Sequence, residues 1–246
     1  MELRRNTWPG NWTLFCGGVL ISSKLVLTAA HCVDDFPIIE KEVVVILGQL
    51  NRSMEEPEKI IAKGNADKII FELNSMADQS FFIVSRKFIH PDYHLEVFST
   101  IPSILNNKTT AFGVEIPIND VAIVELEESV EMSDSIKPAC IATDYSQINT
   151  GSGTVVTSGW GSIVECTPYI ECELANVLQG TEMFLVSRKI CNKHLEEAMP
   201  EIELGDNVLV TDEMICANDH SRVCKGDSGG KYFSYTYLSH SIPVRS

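Results

Sequence analysis

Apolar residues in this chain come in short runs, not in helical stripes. Residues 15–21 and 25–28 form two such runs, broken by the polar Ser22-Ser23-Lys24. That pattern predicts two strands joined by a turn. Residues 42–47, closed by Gly48, predict another strand. Residues 81–89 predict one more, with His90-Pro91-Asp92-Tyr93 turning out of it. Further strands are predicted at 121–126, 153–158, 178–186 and 232–237. A short helix is predicted at 187–195, with Ser187 as its N-cap. Residues 127–138 read as an acidic linker between two halves. Many short strands with Gly and Pro turns indicate an all-β protein, a pair of β-barrels rather than an α/β sheet.

Composition narrows the function classes. At 246 residues the chain is long enough to bury a substantial core. A formal charge of -15 argues against nucleic acid as a partner, because phosphate binding needs clustered Lys and Arg. No apolar run is long enough to span a membrane, so no membrane partner is expected. Residues 1–11 are polar and charged, so no secretory leader is read there. Eight cysteines nonetheless point to an oxidising compartment. The alternative is a set of buried free thiols in a cytosolic protein.

Three separated stretches carry the chemistry. Near the end of the sequence stands Cys224-Lys225-Gly226-Asp227-Ser228-Gly229-Gly230; far upstream is Leu27-Thr28-Ala29-Ala30-His31-Cys32; between them lies Asn119-Asp120-Val121-Ala122. A serine hydroxyl is a poor nucleophile until a neighbouring base takes its proton. Imidazole, titrating near pH ~6.5 in water, can take that proton and later return it. A carboxylate fixes the imidazole tautomer and stabilises the imidazolium. Glycines let a turn aim backbone N–H groups at the oxyanion that forms. His31 is therefore read as general base, Asp120 as orienter, Ser228 as nucleophile, and the Gly226 and Ser228 amides as the oxyanion hole. No cofactor and no metal is expected. His90 and His94 flank a Pro-containing turn and read as surface histidines. Glu55, Glu56 and Glu58 read as a solvated acidic loop rather than a calcium site.

These motifs, with Cys16-Gly17-Gly18, Ser158-Gly159-Trp160-Gly161 and Met214-Ile215-Cys216-Ala217, resemble the chymotrypsin/trypsin-like serine proteases over roughly residues 8 to 233. The order His, Asp, Ser agrees with that family and not with an α/β-hydrolase, which places Ser first. The resemblance implies one peptidase domain of two six-stranded-type antiparallel β-barrels with the active site between them, built from residues 1–130, carrying His31 and Asp120, and residues 131–246, carrying Ser228. It implies the disulfides Cys16–Cys32 and Cys191–Cys216. Cys166 and Cys172 enclose a short loop and are guessed to pair; the partners of Cys140 and Cys224 stay open. It also implies a zymogen, in which a newly cut Ile or Val N-terminus pairs with the aspartate before the nucleophile, here Asp227. No such sequence precedes Cys16, so Asp227 is expected to lack its cation, with the Gly226 loop relaxing away. The pocket that selects the substrate is implied at Arg222, Val223 and Lys225, and Arg222 lies six residues before the serine. Either Arg222 faces that pocket and favours an acidic side chain, or the loop has shifted and Arg222 faces solvent.

The family continues well past Gly230, so the chain reads as truncated at both ends and the second barrel as incomplete. Residues 51–80 and 94–118 are longer than the family's usual connections, and the latter would stand at the cleft rim. Asn11-Trp12-Thr13, Asn51-Arg52-Ser53 and Asn107-Lys108-Thr109 match N-glycosylation acceptors. The expected function is a secreted, extracellular serine endopeptidase acting on proteins or peptides and met by protease inhibitors. The alternative is a non-catalytic relative with a binding or regulatory role.

Overall fold

The computed structural model describes residues 1–8, 11–35, 43–48, 50–52, 62–63, 70–71, 80–99, 103–105, 108–110, 113–141, 153–164, 172–198, 210–218, 223–234 and 241–243. The first part of the chain holds β1 (Glu2–Trp8), β2 (Asn11–Gly17), β3 (Val19–Leu20), β4 (Leu25–Thr28), β5 (Val43–Leu47), β6 (Ala62–Lys63), β7 (Ile70–Phe71) and β8 (Ser80–Ile89). Then come β9 (His94–Ser99), β10 (Ser103–Leu105), β11 (Lys108–Thr110), β12 (Gly113–Ile118) and β13 (Ala122–Leu126). The second part holds β14 (Thr154–Gly159), β15 (Gln179–Val186), α1 (Arg188–Ala198), β16 (Cys216–Asn218), β17 (Lys231–Ser234) and β18 (Ser241–Pro243).

Seven strands form one antiparallel sheet in the order β2-β1-β5-β8-β13-β4-β3. Its two edge strands, β2 and β3, are separated in sequence by Gly18 alone. The sheet must therefore curl until its edges approach each other at Gly18, which makes it a nearly closed barrel. Inward alternation is plain on β13, where Ala122, Val124 and Leu126 are buried and Ile123 and Glu125 are not fully so. β5 is buried at all five positions, as its near-continuous Val-Val-Val-Ile-Leu run requires. Five strands form the second sheet, β16-β15-β14-β17-β18. Among the described residues β9–β12, β10–β11 and β6–β7 add three two-stranded ladders, and this mostly-β architecture agrees with the two-barrel expectation.

Among the described residues, seventeen buried side chains, including Val26, Val45, Val84 and Val124, form one cluster inside the first sheet. Val155, Met183 and Leu185 are the buried members of the cluster in the second. Each fully buried aliphatic side chain in these clusters stabilises its sheet by roughly 1.5–3 kcal/mol. In the second sheet the disulfide Cys191–Cys216 ties α1 to β16 across a separation of 25 residues. A loop of that length is worth about 3 kcal/mol in the chain-entropy account.

Three elements depart from the sequence expectation. β1 lies in a polar stretch with no strand pattern, yet pairs with β2 and β5. Its charges are neutralised in place: Glu2, fully buried, meets Arg4 Nε at 2.8 Å and Arg52 Nε at 3.5 Å. Residues 94–118 are not a plain connection, because β9 and β12 pair along their whole length from His94↔Ile118 to Ser99↔Gly113. Residues after Leu238, which matched no pattern, include β18 paired to β17. The predicted helix is present, and Ser187 precedes it with its carbonyl accepting the Cys191 amide at 2.9 Å.

Candidate active site

Strand register brings His31 and Asp120 together. β4 pairs with β13 so that Thr28 stands opposite Ala122. His31 lies just past the end of β4, and Asp120 just before the start of β13. Past Thr28 the chain coils into one tight turn, with Val33 N donating to Ala30 O at 2.9 Å and Asp34 N to the same oxygen at 2.8 Å. That turn presents both the His31 amide and its ring to Asp120. Asp120 Oδ1 accepts the His31 backbone N–H at 2.8 Å, and Oδ2 accepts Nδ1 at 2.6 Å. The carboxylate is 1% exposed whereas the imidazole is 36% exposed, so the ring is held from the protein side and open on the other. With its proton on Nδ1, imidazole offers Nε2 as a base.

Ser228 arrives from the second part of the chain. Its carbonyl accepts the Gly17 amide at 2.7 Å, and Thr28 Oγ1 donates to Gly17 O at 2.9 Å. Gly229, with φ of 74°, packs so closely that a Cβ there would lie 2.4 Å from Thr28 Oγ1 and 2.7 Å from Gly17 O. The Ser228-Gly229-Gly230 turn is thus seated on the segment that leads to His31. Among the described residues no hydrogen bond joins the Ser228 hydroxyl to His31. Nε2 instead has Cys32 Sγ at 3.6 Å. Serine–histidine contacts in unliganded sites are often loose and tighten around substrate. A Gly229→Ala substitution is expected to cost about 2–4 kcal/mol, from left-handed strain plus overlap with backbone. A urea melt checks this, and an unchanged midpoint would show that the turn is not seated as described.

Two backbone amides hold the Asp227 carboxylate: Oδ1 accepts the Gly161 amide at 2.8 Å and Oδ2 the Cys224 amide at 3.1 Å. Gly226 keeps φ of 100° in this turn. Beside Asp227 lies a cavity of about 440 Å³, lined also by Ser158, Gly161, Gln179, Val223 and Cys224. Val223 is 42% exposed and the Lys225 carbonyl accepts the Ser162 amide at 2.8 Å. Arg222 lies outside the described residues.

The disulfides Cys16–Cys32 and Cys191–Cys216 are present. Cys172 is also disulfide-bonded, and its expected partner Cys166 lies outside the described residues. Cys140 and Cys224 are free thiols. The ligand atoms of Cys16, His31 and Cys32 cluster as a metal site would, but both sulfurs are spent in their disulfide. His90 Nδ1 accepts the Asp92 amide at 3.2 Å, and His94 Nδ1 donates to Asp92 O at 2.9 Å, the roles of turn residues. Among the described residues no helix is long and apolar enough to cross a membrane.

Two neighbours of Asp120 escaped the sequence reading. Asn119 has a left-handed backbone, and Tyr93 stands close enough to Asp120 to feel its charge. Burial, then the charges of Asp120, Asp34 and Asp35, push the Tyr93 phenol above its ordinary range. Raised in the folded state, this group favours folding below the ordinary phenol pKa of about 10, and loses that contribution as pH rises through the folded value. Tyr93→Phe is expected to flatten the alkaline fall in stability above about pH 10. Melts across that range check it, and an equally steep fall in the variant would contradict it.

A nearly closed β-sheet and a second sheet flanking a buried aspartate, an imidazole and a glycine-bounded serine define the two-barrel class of the trypsin-like proteins. Residues 2–236 match the family model described as Trypsin. The chain belongs to the trypsin family. It is 31% identical over 219 residues to renal glandular kallikrein of Mastomys natalensis, covering 87% of this chain and 64% of that protein. Glandular kallikrein-10 of Rattus norvegicus and kallikrein 1-related peptidase b8 of Mus musculus are each 30% identical over 218 residues, with the same 87% and 64% coverage. The chain thus spans just under two thirds of the length of these relatives.

Proposed function

We propose that this protein is a secreted serine endopeptidase that cleaves protein or peptide substrates through an acyl-enzyme. The observation that carries the reading is the double contact of Asp120 with His31 at 2.8 and 2.6 Å. That geometry holds the imidazole in the tautomer whose Nε2 is a base. Ser228 Oγ attacks the scissile carbonyl while Nε2 takes its proton. The oxyanion is held by the Gly226 and Ser228 amides. The imidazolium then gives its proton to the leaving amine, and water repeats the sequence on the ester. Residues 1–130 and 131–246 act as the two halves of one peptidase domain. The mouse relative is named a peptidase, which is consistent with this chemistry.

Asp227 is assigned as the acceptor of an activation ion pair, in which a newly cut N-terminal ammonium would replace the Gly161 and Cys224 amides as partner of the carboxylate. Specificity is assigned to the Arg222, Val223 and Lys225 segment, with an acidic residue before the scissile bond. The disulfides support an extracellular location, because such bonds do not persist in a reducing cytosol. Protease inhibitors are the expected regulatory partners.

A second reading, a non-catalytic binding relative, is favoured by one observation: the Ser228 hydroxyl makes no hydrogen bond to His31. Labelling with a serine-reactive phosphonate, with the modified peptide located by mass spectrometry, separates the two. Adduct on Ser228 supports the peptidase; a folded, activated chain that takes no label supports the binding protein. A peptide panel varied before the scissile bond tests the pocket, and cleavage after Lys or Arg alone would sink the acidic preference.

A further inference from the structure

We propose that Asn119 is a positioning residue for the His31–Asp120 pair, and that its left-handed backbone is the part that acts. It has φ of 53° and is the sole non-glycine residue with positive φ among those described. Such a conformation costs most L-residues about 1–2 kcal/mol, and asparagine tolerates it best. Strain of this kind persists where the surroundings hold it, and here it falls immediately before Asp120.

The surroundings are specific. The chain leaves β12 at Ile118 and enters β13 at Ala122, passing from a two-stranded ladder into the seven-stranded sheet. Only three residues make the reversal. Val121 N donates to Asn119 O at 2.7 Å, closing a tight turn around Asp120 itself. Val121 O accepts the His90 amide at 3.0 Å, which anchors that turn to the end of β8. Asn119 Nδ2 donates to Asp92 O at 3.3 Å, fastening the other side. Asp120, 2% exposed as a residue, thus points inward with each carboxylate oxygen on a different His31 donor. A right-handed or extended Asn119 would rotate the following Cα–Cβ bond away from His31. Displacement by about 1 Å is enough to break such paired contacts and to lower turnover about 100-fold.

The inference rests on reading His31 as base and Asp120 as orienter, but its test does not need turnover. Three variants separate backbone from side chain. Asn119→Gly keeps access to positive φ and removes the amide. Asn119→Asp keeps tolerance of that φ and replaces the donor with an acceptor facing Asp92 O. Asn119→Ala loses both. The readout is the downfield proton resonance of the His31 Nδ1–H to Asp120 hydrogen bond, followed in each folded variant. Loss or marked upfield movement in Asn119→Ala, with retention in Asn119→Gly, is expected. Where the wild-type chain hydrolyses a peptide, kcat should fall about 10- to 100-fold in Asn119→Ala with KM little changed. An Asn119→Ala protein that melts earlier yet keeps the resonance would show a merely structural role and overturn the proposal. Equal loss in Asn119→Gly would overturn the backbone assignment. Absence of hydrolysis with the resonance pattern intact would count against the peptidase reading alone.

Discussion

Ser228→Ala is expected to lower kcat for peptide hydrolysis by roughly 10⁵- to 10⁶-fold and to abolish phosphonate labelling, while leaving the fold intact. The magnitude is that of other enzymes built on this triad. The reason lies in what the hydroxyl does. It forms the covalent ester, so its removal leaves only a water attack aided by the oxyanion amides, worth about 10³–10⁴ over solution. The fold should survive because the structural work of this residue is done by its backbone. Its carbonyl, not its hydroxyl, accepts the Gly17 amide at 2.7 Å. KM should therefore change little. Burst kinetics and labelling of the matched pair check this, and a variant with wild-type turnover would remove Ser228 from the mechanism.

Asp120→Asn is expected to lower kcat about 10⁴-fold at neutral pH, the size known for the matching change within the family. The hydrogen bonds explain why so small a change matters. Oδ1 faces a backbone N–H, which can only donate. The carbonyl of the introduced amide must take that place, and its NH₂ must then face Nδ1. Two donors cannot meet there, so Nδ1 becomes the acceptor and the ring proton moves to Nε2. The nitrogen that should receive the serine proton is then already occupied. Nitrogen-15 chemical shifts of His31 report the tautomer directly. An Asp120→Asn variant with the proton still on Nδ1 would contradict this account.

Much of this architecture is legible in the residues because burial is one-sided where strands alternate. β13, β14 and β15 announce themselves through inward apolar positions such as Val124, Val155 and Met183. β1 does not, because Glu2 and Arg4 are buried as an ion pair, and charge then masks the pattern that burial normally writes. The β9–β12 ladder is hidden for the opposite reason: Leu95 and Val97 are exposed, so no buried face marks it. At the site, residue types and motif order point to His31, Asp120 and Ser228, since the chemistry restricts which side chains can serve. Backbone geometry leaves a weaker trace. The φ of Asn119 and the seating of Gly229 against Thr28 are properties of the assembled sheets. An Asn before an Asp in a turn was the one available hint of the first.

The meeting of His31 with Asp120 spans 89 positions, across a sheet in which β4 is covered on one side by β13. During synthesis β4 emerges long before that neighbour. At about 5–20 residues per second the ribosome leaves Val26 and Leu27 waiting on the order of ten seconds for a mate. An apolar ribbon with a bare edge is sticky for that whole interval. Soluble yield should therefore rise when translation is sped between those two points.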